Sequence, residues 1–291
     1  MARKILDGIL VGVGIVIVVG VAYAIALAGD IFTVEKDGAT KFAVSDQGKI
    51  TVGATESYVN LVIQNDEVST EADNKVDITA DVLTVEGIRL ESVNVAADIT
   101  ASGAGGLDTG SEAANAWYYV WVITNNSGTS TNGLLSASST SPTLPSGYTK
   151  KRRVGAVRND GSSNFLQFVQ EGNRIRIYPG QVALLLGTST SLATVDLSSF
   201  MPPTSRVALL NLDMDILHYA SSDFSTSVRA NGANGACMTN RIQSVNGAYV
   251  RNKEFGDCIT DASQVIQYII NSNPATAGGI TIVVRGYYDR M

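Results

Sequence analysis

From Ser57 to Thr100 apolar side chains return at alternate positions, and this two-residue period constrains the fold more than any other feature of the chain. Val59, Leu61 and Ile63 alternate with polar neighbours, and Val76, Ile78, Val82, Val85, Ile88, Leu90, Val93, Val95 and Ile99 carry the pattern on. A period of two places the apolar side chains of a strand on one face, whereas a helix needs spacings of three and four. Composition points the same way. Only 16% of the 291 residues are charged and 28 are Gly, too few Lys and Glu for long solvated helices and ample material for turns. The expected class is mainly β.

Two exceptions bracket that expectation. Residues 1–29 hold Arg3 and Lys4, then no charged residue between Gly8 and Gly29, a run long enough to cross a hydrocarbon layer as a helix. It reads as an apolar N-terminal helix, either a membrane anchor or a bundle with the same segment of neighbouring chains, for which Gly8-x-x-x-Gly12 offers close approach. A cleaved signal peptide and a buried helix of a soluble domain are the competing readings. Residues 30–105 form the second exception. Phe32–Gly38 and Phe42–Gly48 repeat a short strand closed by a polar turn. Strands this thin read as a β shaft, whose one-sided apolar faces are pooled between chains, as a homotrimer would pool them. An ordinary half-buried sheet within one chain is the alternative. Ser102-Gly103-Ala104-Gly105-Gly106 marks the end of this region.

In residues 106–178, Trp117-Tyr118-Tyr119-Val120-Trp121-Val122-Ile123 is the strongest strand signal in the chain. Gly-Leu-Asp-Thr-Gly at 106–110, Trp-Tyr-Tyr-Val at 117–120, Leu-Pro-Ser-Gly-Tyr at 144–148 and Arg-Arg-Val-Gly at 152–155 follow one another in order. This series resembles a module of tail-fibre and other virion surface proteins (head fibres or spikes) of tailed bacteriophages, mainly over 106–158. The resemblance implies a virion-associated β domain, usually trimeric, that acts in attachment, and it implies no catalytic residue. The basic run Lys150, Lys151, Arg152 and Arg153 reads as a solvated or intersubunit salt-bridged edge, with contact to an anionic surface as the sharper alternative. The Trp117, Tyr119 and Trp121 stripe reads as core rather than as a sugar-stacking platform.

Residues 179–291 show further strands at 181–186, 206–214, 265–270 and 280–288, separated by Asn-Gly and Gly-Gly turns. Their spacing is that of an antiparallel β-sandwich head domain of jelly-roll type. Chemistry is scarce. The chain has one histidine, His218, and two cysteines, which excludes most zinc and disulfide-scaffold classes. Asp213 and Asp215 fall at strand spacing and read as a polar face rather than a metal or acid–base set. Cys237 and Cys258 either bridge or stand as two unpaired small residues, and folding in a reducing cytosol favours the second. The net charge of -6 opposes nucleic-acid binding, which needs a positive field.

The reading is therefore a structural virion protein, a short fibre or spike that binds a host surface glycan or protein or decorates the particle. It requires no cofactor and acts without catalysis. It would be displayed on the virion surface and joined to other virion proteins through its N-terminus, which lies in a membrane or inside the particle assembly. A surface polysaccharide depolymerase and a cellular membrane-anchored adhesin are the alternatives. Residues 218–253, read as the longest irregular stretch of the outer domain, supply the candidate receptor-binding side chains Tyr219, Phe224, Arg229, Arg241, Tyr249 and Arg251. Aromatic rings and arginines in a polar setting suit recognition by stacking and directed hydrogen bonds.

Overall fold

In the computed structural model, residues 57–65, 74–274 and 277–291 are described in full, and within 30–52 the backbone of three strands is described. The helix expected over residues 1–29 lies outside the described residues. Those residues are all-β and antiparallel. Among them no helix is long and apolar enough to cross a membrane.

Strands β1 (Asp30–Lys36), β2 (Ala39–Ser45) and β3 (Ile50–Val52) make a small sheet in that order. Strands β4 (Tyr58–Val59), β5 (Val62–Asn65), β6 (Lys75–Val85) and β7 (Ile88–Asp98) follow. A three-stranded sheet then forms from β8 (Trp117–Thr124), β9 (Thr131–Ser136) and β10 (Lys150–Arg158), with β8 at its centre. The hairpin of β11 (Phe168–Glu171) and β12 (Arg174–Gly187) leads to β13 (Ala193–Asp196) and the long β14 (Ser205–His218). The chain closes with β15 (Asp223–Ala230), β16 (Met238–Gln243), β17 (Ala248–Ile259), β18 (Val265–Ile270) and β19 (Ala277–Asp289).

One nine-stranded sheet, curled into a half-barrel, runs β17-β14-β19-β12-β11-β5-β6-β4, with β7 added on β6. It therefore crosses positions 105 and 178: Gln170 of β11 pairs with Ile63 of β5, and Ile175 of β12 pairs with Tyr287 of β19. A four-stranded sheet, β13-β18-β15-β16, covers its C-terminal half. Leu212, Met214 and Ile216 of β14 share one core with Phe224 and Val228 of β15, Ile242 of β16 and Ile266 and Ile270 of β18. Buried Asn240 of β16 donates through Nδ2 to the Leu212 carbonyl at 3.1 Å, a polar tie between the two layers.

The period-two pattern of residues 57–100 is present as expected, yet its apolar face is covered from within the chain. Ile63, Val76, Ile78, Leu83, Val85, Leu90 and Val93 belong to the same core as Phe168, Ile175 and Tyr287. Within residues 57–65 and 74–98 the strands thus form a half-buried sheet covered from within one chain. Alternation specifies which face must be buried but not which residues bury it.

Strand β8 is buried on both sides. Tyr118, Val120 and Val122 face the main core, while Tyr119, Trp121 and Ile123 form a second cluster with Leu134 and Ala156, closed by Leu144 and Tyr148. The aromatic stripe is thus core. The two arginines of the basic run beside it are not a solvated edge. Arg152 is 5% exposed and donates from Nη1 to the carbonyls of Ser57 and Thr84, both at 2.8 Å. Arg153 pairs with Asp289 at 2.6 Å. Lys151 and Arg153 lie over Trp121 and Tyr119, on the strand face opposite Arg152, as alternation requires. These guanidiniums turn inward because the sheet they must join presents backbone carbonyls and a carboxylate there, and each bond is charge-assisted.

Cys237 and Cys258 form a disulfide, with Cα atoms 5.2 Å apart, so the unpaired reading is corrected. The bridge joins the residue before β16 to the end of β17, and so ties the four-stranded sheet to the nine-stranded one. Loop-closure entropy for a sequence separation of 21 corresponds to about 3 kcal/mol. Reduction under native conditions should lower the free energy of unfolding by about that amount, read by denaturant titration with and without reductant. Thiol titration of the denatured, unreduced protein should find no free thiol; two would refute the bridge.

Candidate functional site

The stretch of residues 218–253 is more ordered than its composition implied, since β15, β16 and the first half of β17 fall within it. Ser, Thr and Asn in these strands alternate with Phe224, Val228, Met238 and Ile242, which point into the core. The six candidate receptor residues consequently separate. Phe224 is 1% exposed and meets His218 edge-to-face with ring centroids 5.5 Å apart; a ring so placed cannot touch a receptor, and the assignment is withdrawn. Arg229 lies near the end of β15 beside Gln267, about six residues and therefore roughly 20 Å from Asp223 at its start. It takes no part in the cluster at that start.

Tyr219, Arg241, Tyr249 and Arg251 do come together, around the open ends of β14 and β17. Register places Tyr249 opposite Leu217 and Arg251 opposite Asp215. Tyr219 follows directly on β14, and a Cβ built on Gly247 would sit 3.9 Å from its ring. Asn252 Nδ2 donates to the Arg241 carbonyl at 3.2 Å, which brings β16 alongside. Tyr219 and Tyr249 are 67% and 57% exposed. Val245, missed by the sequence reading, joins them at 59%; an isolated Val in a Ser/Asn/Gly turn gave no signal. The ion pair of Arg251 with Asp215 borders this apolar centre on its own sheet face, and that of Arg241 with Asp223 lies on the outer face of the adjoining sheet, each at 2.9 Å. The Arg241 pair is solvated on both sides and the Arg251 pair on its arginine side, so each contributes about 0.2–1 kcal/mol and serves more to orient the guanidinium than to hold the fold.

Asp213 continues the same row through Lys253 at 3.1 Å. The two aspartates thus form cross-strand pairs on a sheet face, the polar-face reading. His218 Nδ1 is engaged by the backbone of Ala220. Among the described residues no three His, Cys, Asp or Glu side chains are grouped so that they could hold a metal ion. What the patch can do is bind: exposed rings offer flat apolar faces, and the arginines and backbone of the turn offer directed hydrogen bonds.

Comparison with known proteins gives little to set beside this geometry. No protein-family model matches the chain. No curated protein matches it. Among solved structures the chain is similar to SGBP-B from a complex xyloglucan utilization locus in Bacteroides uniformis, with 10% identity over 90% of this chain and 79% of that one and a TM-score of 0.14, a likeness that carries no argument about fold or function.

Proposed function

We propose that this chain is a structural virion protein, a short fibre or spike that attaches the particle to a host surface by binding. The observation that carries the binding role is the exposed Tyr219, Val245 and Tyr249 patch with Arg251 at its border, held at the end of long paired strands whose other side is core. Recognition on β scaffolds resides where strands end, because the sheet fixes position while turns vary. The virion setting rests on the ordered motifs between residues 106 and 158 and their resemblance to phage fibre proteins. On this reading the head is a jelly-roll-like sandwich, residues 1–29 form the helix that mounts it on other virion proteins or a membrane, and the working unit is a homotrimer. Val182, Leu185, Leu186 and Leu192, between 42% and 70% exposed, supply an apolar surface that a neighbouring copy would cover.

The test is a particle carrying Tyr219→Ala and Tyr249→Ala. Adsorption to host cells should fall by about tenfold or more, the effect of losing two central aromatic anchors, while the thermal midpoint of the purified protein stays nearly unchanged because both rings are exposed. Unchanged adsorption would sink the proposal. Light scattering of the purified chain checks the oligomer, with three times the mass of a 30.6 kDa chain expected.

A further inference from the structure

The same outer sheet face carries a second feature, about six residues along β17 from Tyr249 and so roughly 20 Å away. A groove of ≈ 270 Å³ opens there between β12, β19, β14 and β17, lined by Arg174, Arg176, Leu209, Phe255, Asp257 and Arg285. Its origin is legible in the register. Arg176 of β12, Gly286 of β19, Leu209 of β14 and Asp257 of β17 are successive partners across four strands. Gly286 puts no side chain into that row, which leaves room between Arg176 and Leu209. On β12 the sequence Arg-Ile-Arg-Ile sends Ile175 and Ile177 into the core and the two arginines to the groove. On β19 the stem of Arg285 lies across Gly180, where an added Cβ would come within 2.6 Å of its Cδ.

From this arrangement we infer that the groove binds an acidic sugar residue, its carboxylate or phosphate held by the three guanidiniums and its ring laid on Phe255. The side chains of Arg174, Arg176 and Arg285 have no hydrogen bond or ion pair among the described residues, whereas the other charged pairs of this face are satisfied within the chain. Nε of Arg174 is buried without an acceptor, and an unfilled charged donor out of water is costly until an acceptor reaches it. Three like charges converging in a chain of net charge -6 call for an anion, and the planar fork of Arg fits carboxylate or phosphate through two parallel hydrogen bonds.

The apolar half of the site specifies a sugar rather than a bare ion. Phe255 stands 67% exposed on the groove wall, a flat face of the kind that stacks on the C–H side of a pyranose. Asp257, also on the wall and without an ion pair among the described residues, accepts from a hydroxyl. The volume is at the lower limit of ligand pockets, about 300 Å³, which suits one monosaccharide of a glycan and is small for a folded partner. This assignment does not depend on the attachment reading, since its residues are distinct from Tyr219 and Tyr249.

Calorimetric titration of the full-length protein decides it, using trigalacturonate, sialyllactose and glucose 6-phosphate, each beside its neutral counterpart (galactotriose, lactose and glucose). At least one acidic sugar should bind about tenfold or more tightly than its counterpart, with affinity falling as salt rises. Arg176→Gln with Arg285→Gln should lower that affinity by about tenfold or more, with the thermal midpoint reporting that the fold is kept. Phe255→Ala should weaken binding several-fold without altering the salt dependence. Inorganic phosphate and a hexaglutamate peptide serve as competitors, and displacement by either at the sugar's own concentration would overturn the sugar in favour of a plain anion or a protein contact. Binding of no acidic sugar, or equal binding of acidic and neutral ones, would also overturn the inference. The double alanine variant of Tyr219 and Tyr249 should bind the acidic sugar as the parent does, so failure at the tip and failure in the groove are separate results.

Discussion

Replacing Arg153 by Met is expected to lower the free energy of unfolding by about 3–5 kcal/mol at neutral pH. Its guanidinium meets Asp289 at 2.6 Å, with the two side chains 12% and 0% exposed. The pair joins the start of β10 to the end of β19, and so fastens the small aromatic sheet to the large one. Removing the cation leaves a carboxylate buried and uncompensated, the costly half-pair, whereas removing both charges is tolerated. Arg153→Met with Asp289→Leu should therefore recover most of the loss.

The loss should also depend on pH in a defined direction. Burial holds the Asp289 carboxyl above its usual range, and Arg153 pulls it partly back. A carboxyl whose folded pKa is raised contributes stability that is fully present below its unfolded pKa and is lost as pH rises through the folded one. Without Arg153 the folded value moves higher still, so the variant loses more than the parent at neutral pH. Below about pH 3.9, where the unfolded carboxyl is itself protonated, the difference shrinks to lost packing and one hydrogen bond. Tyr119 and Tyr287 beside the pair stay neutral throughout, because burial pushes both hydroxyls up. Denaturant titrations at neutral and acid pH check this, and an equal loss at both would show that the pair's charge is not what stabilises the junction.

Arg153 also marks where the sequence stopped being legible. Alternation located the strands well, and the density of Trp117 to Ile123 correctly signalled burial. What a strand pairs with was not written in its own residues. β5 and β11 lie more than a hundred positions apart, and nothing in Val62 to Asn65 names Val169 to Glu171 as their partner. For the same reason the basic run looked solvated, since its carbonyl and carboxylate partners come from residues 57, 84 and 289. The polar stretch after His218 hid its strands because Ser and Thr fill the outer side and Thr226 and Asn240 interrupt the apolar inner one. The inward side of Phe224, Thr226 and Val228 did carry a period of two, and reading it would have moved Phe224 from receptor to core. The groove arginines were readable too, as Arg174 and Arg176 at strand spacing between two isoleucines.

Gly286 is the position where a single carbon atom should do most harm. It sits at φ +150°, outside the range favoured by side-chain-bearing residues, and a Cβ there would overlap the carbonyl oxygen of Ile175. Three strands meet at this residue, because it pairs with Arg176 of β12 on one side and Leu209 of β14 on the other. The register slips by one step at the same place, between Leu209 and Leu210, which is how β19 can keep both Val284 and Tyr287 buried in the core. Gly286→Ala must push β12 and β19 apart or unwind the bulge. Backbone strain and overpacking together correspond to about 3–5 kcal/mol. The effect should reach function as well, since the glycine creates the space between Arg176 and Leu209. A variant that still folds at low temperature should bind acidic sugar less tightly even though every lining side chain is intact. Gly180→Ala offers the milder comparison: its Cβ meets side chains, the flexible stem of Arg285 and a methyl of Val283, rather than backbone, so it should shift that arginine and weaken binding while costing less stability than Gly286→Ala. If Gly286→Ala unfolds no more easily than the parent, the close approach of β12 to β19 is not the constraint that fixes this part of the sheet.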